Sequence, residues 1–307
     1  MNTIEVNTNN YLSYCKLQKC LDEKTIKAYR IDLTQFSDFI NTTYIDKITL
    51  SSLEAFIAYL HQSYKPKTAK RKIASVKAFF HYLEYKDIIM VNSFKKIQIK
   101  FREPVILPKV IPLHIVEELL KTVYHQHDIA NTVYQKRKTL KDIAIIELLF
   151  STGIRISELC LLKASNVDLL DNTILIFGKG AKERRIQIGN EDVSGILTEY
   201  QNCFHKEITE TGYFFAGSSG NPISDQYVRK MINKYTTLAG INIHITPHMF
   251  RHTFATSLLE TDVDIRYIQE MLGHSSINIT QIYTHVTTAK QKNILRNKHP
   301  RKDFHIC

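Results

Sequence analysis

No tryptophan occurs among the 307 residues, an absence that decides nothing. Other absences exclude more. No run approaches the ~20 apolar residues that a membrane-spanning helix needs. The first ten residues, MNTIEVNTNN, are polar and lack the apolar centre of a secretory signal. Five cysteines are an odd number, Cys15 and Cys20 do not match a zinc pair, and no second pair exists. This usage points to a reducing cytoplasm and not to a disulfide framework. There is no internal repeat and no low-complexity tract. Between Lys65 and Tyr82 there is no acidic residue.

What is present is ordinary for a soluble globular chain in bulk: 44% hydrophobic and 23% charged residues, with length enough for about two domains, each with a core. The charge balance is less ordinary. Lys and Arg number 41 against 30 Asp and Glu, a net +11, which favours a polyanionic partner, nucleic acid first.

Residues 5 to about 90 read as helices. Asn10 to Lys19 is a weak amphipathic start. Asp22 can cap a helix through Tyr29, Leu33, Phe36 and Phe39, and Ser51 or Ser52 opens another with Leu53, Phe56, Ile57 and Leu60 on one side. Pro66 starts a fourth, on which Ile73, Val76, Phe80 and Leu83 form an apolar stripe. At 100° per residue, Lys67, Lys70, Arg71 and Lys77 gather on a neighbouring arc of roughly 120°. A solvated face usually mixes signs, so this one is expected to face phosphates. From Asn92 to Pro112 the prolines and lysines predict an extended linker, with a domain boundary near residue 105.

Beyond it, Pro112 starts a helix, residues 125 to 139 read as a polar loop, and Lys141 to Phe150 as a buried helix broken at Ser151-Thr-Gly153. The period then changes. Val167 to Phe177 and Arg184 to Ile188 read as strands of a hairpin with a basic tip, Gly178 to Glu183. Residues 191 to 205 return to helix, Tyr213 to Ala216 is a short strand, and Ser224 caps a helix from Asp225 to Ala239.

The stretch ITPHMFRHTFATSLLETDVDIRYIQEMLGHSSINITQIYTH, from Ile245 to His285, carries the densest chemistry. Thr246-Pro247 is a helix start. His248 and Arg251, three apart, leave one face of its first turn, where unpaired N–H groups and the helix dipole favour a phosphate. A short helix from Asp264 to Gly273 follows, then His274 on a turn and Tyr283 close behind. Tyr267 is the rival phenol, expected to pack beside Ile265 and Ile268. A phenol with cationic donors suits nucleophilic attack on a phosphodiester. His248 and His252 have a zinc-like spacing, but Met249 stands where a zincin needs Glu. Gly178-Lys-Gly lacks the frame of a nucleotide-binding phosphate loop. Neither a metal nor a nucleotide cofactor is expected.

Four pieces assemble: Arg155 in TGIRISEL, Lys179 in FGKGAKER, His248 and Arg251 in TPHMFRHTFAT, and His274 with Tyr283 in LGHSSINITQIYTH. With these residues the chain resembles the tyrosine recombinases, most closely the Xer type and the short integrases of mobile elements. The resemblance covers nearly the whole chain, and Glu158 also matches the acidic position that follows the first arginine.

The resemblance implies a mainly α protein of two domains. Residues 1–105 would be a four-helix core-binding domain with linker. Residues 106–307 would be a mixed α+β catalytic domain with a small antiparallel hairpin or sheet. It also implies roles. Tyr283 would attack the scissile phosphate and leave a 3′-phosphotyrosine and a free 5′-hydroxyl, and Arg155 and Arg251 would hold the non-bridging oxygens. Lys179 would protonate the leaving oxygen, His248 relay the tyrosine proton, His274 bond the phosphate, and Glu158 support the set. The implied partners are duplex DNA with inverted half-sites and a homo-tetramer, or a hetero-tetramer with a second recombinase. The segment after Tyr283 resembles a tail docked on a neighbouring subunit, and the short N-terminus, without an arm-binding domain, favours simple core sites. Competing functions are a catalytically silent architectural protein or repressor of the same fold, and a type IB topoisomerase. The DNA sequence, and the choice between chromosome dimer resolution and element integration, are left open.

Overall fold

A computed structural model describes residues 3–98, 108–178, 183–217, 220–261 and 263–273. The chain divides into two compact units, Met1–Val105 and Ile106–Cys307. Among the described residues, no helix is long and apolar enough to cross a membrane.

The first unit holds α1 (Ile4–Leu17), α2 (Glu23–Ile40), α3 (Leu50–Ser63) and α4 (Pro66–Tyr85). Asp22 caps α2 through its side chain, as its position before the apolar stripe predicts. The cap of α3 is Thr49 and not a serine, because Thr49 and Ser52 satisfy each other's backbone N–H in a reciprocal box. Leu33, Phe36, Leu53, Phe56, Val76, Phe79 and Leu83 close the core. Lys67, Lys70, Arg71 and Lys77 are all exposed on α4. The acid missing between Lys65 and Tyr82 comes from α2: the buried Asp32 carboxylate accepts both ends of the Arg71 fork, Lys72 Nζ at 3.0 Å and Ser75 Oγ at 2.7 Å. Arg71 is thereby held in place on the basic arc.

The second unit begins with α5 (Leu113–Asp128) and α6 (Val133–Thr152), followed by the single turn and a half of α7 (Ile156–Cys160). The loop expected over 125–139 is overturned: only the short stretch between α5 and α6 leaves the helix. Its polar residues are taken up by tertiary partners. Arg137 donates to Cys203 O at 2.8 Å, pairs with Glu207 and lies over the Phe204 ring, and Thr132 caps α6. From Leu140 to Leu149, α6 is buried almost all round and forms the spine of the core.

A sheet of β1 (Val167–Asp168), β2 (Thr173–Phe177) and β3 (Glu183–Gln187) follows, antiparallel in that order. The single strand expected over 167–177 is split, because Asp168 Oδ1 accepts from the N–H of Leu170 and Asp171 and Asn172 adopts φ 50°. Then come α8 (Glu191–Cys203), α9 (His205–Thr211), α10 (Asp225–Leu238), α11 (Pro247–Glu260) and α12 (Ile265–Leu272). Tyr213 to Ala216 is no strand of a ladder: Tyr213 bridges Lys163, Ala216 bridges Pro222, and buried Phe214 and Phe215 anchor it.

Candidate active site

The site is built on chain reversals, each with a local cause. The α6 helix ends at Gly153, whose φ of +59° and contact with Phe254, 2.7 Å from where a Cβ would lie, make any side chain there strained and crowded. Two residues on, Arg155 is the N-cap of α7, and its own N–H donates to Glu158 Oε2 at 3.0 Å. The α11 helix starts at Pro247 as expected, although the Thr246 side chain makes no capping bond. The α12 helix is capped by Asp264 and ends at Gly273, with φ 63°.

Onto the end of α12 three guanidiniums converge. Arg184 Nε donates to Met271 O at 2.9 Å, Arg251 Nη2 to Leu272 O at 2.6 Å, and Arg155 Nη2 to Gly273 O at 3.4 Å. These carbonyls are the unpaired, negative end of a helix, so cations there are stabilising. Arg251, only 4% exposed, also donates to Gly153 O at 2.8 Å and so ties the end of α6 to the end of α12. Glu158 sits between the other two: Oε1 accepts from Arg155 Nη1 at 2.7 Å and Arg184 Nη1 at 3.0 Å, and Oε2 from Arg184 Nη2 at 2.5 Å.

Burial alone raises the Glu158 pKa, but the bonds from Arg184 and Arg155 outweigh it and hold the carboxyl below its usual range. A carboxylate lowered on folding adds stability above its unfolded pKa and loses it as pH falls through the folded value. Wild-type stability is therefore expected to drop as pH falls below about 4.3, the ordinary Glu value. Glu158→Gln should be less stable at pH 7 by about 3 kcal/mol, the scale for removing one partner of a buried pair. Its melting curves should approach the wild type's in acid. Parallel pH dependences would refute the assignment.

His248 reaches the surface at the start of α11. Partial burial and the charges of Arg229, Arg251 and Arg155 hold its imidazole below the ordinary value, against the opposing pull of Asp225. This favours the neutral imidazole, the form that accepts a proton. His252, one turn further along α11, is pushed down to about 4 by burial, His248 and Arg251.

The structure thus brings together Arg155, Glu158, His248 and Arg251. Lys179, His274 and Tyr283 lie outside the described residues. Tyr267 corrects an expectation: it is 65% exposed, while its neighbour Ile268 takes the buried position. Sequence reasoning missed Arg184. The signal was there in its parity with Ile186 and Ile188, which puts a charge on the inward face of a strand.

Comparison with known proteins adds the class. Residues 115–290 match the phage integrase family, and residues 8–86 match the N-terminal SAM-like domain of phage integrases. A tyrosine recombinase of Agathobacter rectalis is 66% identical over 306 residues, covering 100% of both chains. The tyrosine recombinase XerC of Oceanobacillus iheyensis is 32% identical, covering 98% of each. Among solved structures, XerA recombinase aligns with a TM-score of 0.54 at 27% identity, over 96% of this chain and 99% of that one. XerH bound to a palindromic difH substrate shares the fold with a TM-score of 0.72 at 20% identity, over 95% and 84%. The chain belongs to the phage integrase family of tyrosine recombinases and is a site-specific recombinase.

Proposed function

We propose that the chain cleaves and rejoins duplex DNA through a 3′-phosphotyrosine on Tyr283. The observation that carries this reading is the meeting of Arg155 and Arg251 at the end of α12, one residue before His274 in the chain. Both guanidiniums are fixed by backbone carbonyls or by Glu158, so they present charge without reorganising when charge develops on a phosphorane. In this reading Arg155 and Arg251 hold the non-bridging oxygens, His248 takes the phenolic proton, Lys179 protonates the leaving 5′ oxygen and His274 bonds the phosphate. Glu158 holds Arg155 in place. The bond from phenolic oxygen to phosphorus replaces the one from phosphorus to the 5′ oxygen, so rejoining needs no other energy source.

Residues 1–105 form the core-type DNA-binding domain in this proposal and residues 106–307 the catalytic domain. The protein acts on inverted half-sites as a tetramer, of one chain or with a second recombinase. Neighbours of the same fold were solved on DNA, among them a lambda integrase tetramer bound to a Holliday junction, which supports such an assembly. A nicked suicide duplex tests the reading: wild-type protein is expected to be trapped as a covalent adduct. A protein that binds the half-site and forms none is instead a silent DNA-binding module.

The basic arc of α4 has its own readout. Lys67→Ala, Lys70→Ala and Lys77→Ala should each lower the log–log salt slope of DNA binding by roughly 0.9 if each meets a phosphate. Arg71→Ala should also lower the melting temperature, since it strips Asp32 of its fork. An unchanged salt slope in the lysine variants discards this face as the phosphate contact.

A further inference from the structure

Arg184 has no part in the proposed phosphoryl-transfer set, yet it ties three elements of the site together. It stands on the inward side of β3, in step with Ile186 and Ile188, and is 9% exposed. An aliphatic residue would fill such a position at no electrostatic cost, whereas a buried charge is tolerated only when its donors are satisfied. Here they are satisfied in two directions. The two Nη atoms take both oxygens of Glu158, and Nε turns the other way to Met271 O. Only a guanidinium offers a carboxylate fork and a separate lateral donor from one rigid plane. Gly273 completes the fit. It has φ +63°, and a Cβ there would lie 3.0 Å from Arg184 Cδ and 3.1 Å from Nη1, so the arginine packs over the glycine.

We propose that Arg184 is a positioning residue: it locks the last turn of α12 to the Glu158–Arg155 pair and so holds the Arg155 guanidinium in one arrangement. The proposal rests on the reading of Tyr283 as nucleophile, because what Arg184 holds in place is the guanidinium that would meet the phosphate under attack. Loss of the lock misplaces Arg155 and slows attack on the phosphorus, a defect that a better leaving group does not repair.

The test uses the full chain, with Arg184→Lys and, independently, Gly273→Ala, which crowds the arginine from the other side. Each is assayed on a nicked half-site duplex and on its analogue with sulfur in the bridging 5′ position. On the analogue the phosphorus–sulfur bond breaks and a thiolate leaves unprotonated, which suppresses any defect in leaving-group protonation. Both variants are expected to bind the half-site within about threefold of wild type and to form adduct about 10²-fold more slowly, the scale of a small misplacement of reacting groups. The loss should be equal on both substrates. Recovery of rate on the sulfur substrate would assign Arg184 to the hairpin lysine and overturn the proposal, as would undiminished cleavage by both variants. A wild type that forms no adduct on either substrate overturns the nucleophile reading together with this one. An active wild type beside undiminished variants overturns the positioning role alone.

Discussion

Tyr283→Phe is expected to bind its duplex as the wild type does and to yield no covalent adduct. The substitution keeps the ring and removes one oxygen, the atom that would bond to phosphorus, so affinity and chemistry should separate completely. The outcome depends on no second phenol taking over. Tyr267 is the rival to exclude, since it is 65% exposed and chemically equivalent. It sits in the first turn of α12, six residues before Gly273, and a rise of 1.5 Å per residue places it about 9 Å from the helix end where the guanidiniums gather. Tyr267→Phe should therefore leave adduct yield unchanged. An adduct that survives in Tyr283→Phe, or vanishes in Tyr267→Phe, moves the nucleophile elsewhere on the chain.

Arg251→Ala should carry the next largest effect, on two observables at once. The side chain donates to Gly153 O and Leu272 O, and it is buried. Hydrogen bonds from a charged group contribute about 1.5–3 kcal/mol each, and the truncation also leaves both carbonyls in a void. A loss of about 3 kcal/mol in unfolding free energy is expected for a chain whose bonds partly relax. On the chemical side, removing one preorganised donor to a developing oxyanion costs about 10²–10³ in rate. Arg251→Lys separates the two contributions. A lysine keeps the charge, but its point ammonium cannot reproduce the planar fork that reaches both carbonyls. Single-turnover adduct formation at saturating protein, run well below the melting temperature, should therefore be slow in both variants. Cleavage by Arg251→Lys at the wild-type rate would mean that the site needs charge alone and that the fork serves only the fold.

The pieces of the candidate site that the described residues hold were legible in the chain because they are local. Arg155 and Glu158 are three apart and satisfy each other at a helix start; His248 and Arg251 share one turn; Gly273 stops α12 as only a residue at ease with positive φ does. Long-range partners were not legible. Arg71 reads as one more cation on a basic arc until Asp32, on another helix, is found holding it. Residues 125–139 read as a loop because their polar side chains meet partners on α8, α9 and the facing helix that no spacing announces. Tyr267 reads as a packing residue because helix periodicity does not say which side of a short helix meets a core.

By itself the sequence determined the kinds of group available, their order, and the breaks that bring them to helix ends, because caps, glycines and periods are short-range chemistry. Only the tertiary structure decided that three arginines far apart in the chain end on three consecutive carbonyls at the end of α12, with Glu158 between two of them. The reason is that a buried guanidinium is satisfied by whichever acceptors the packing brings within reach, and packing is a property of the whole core.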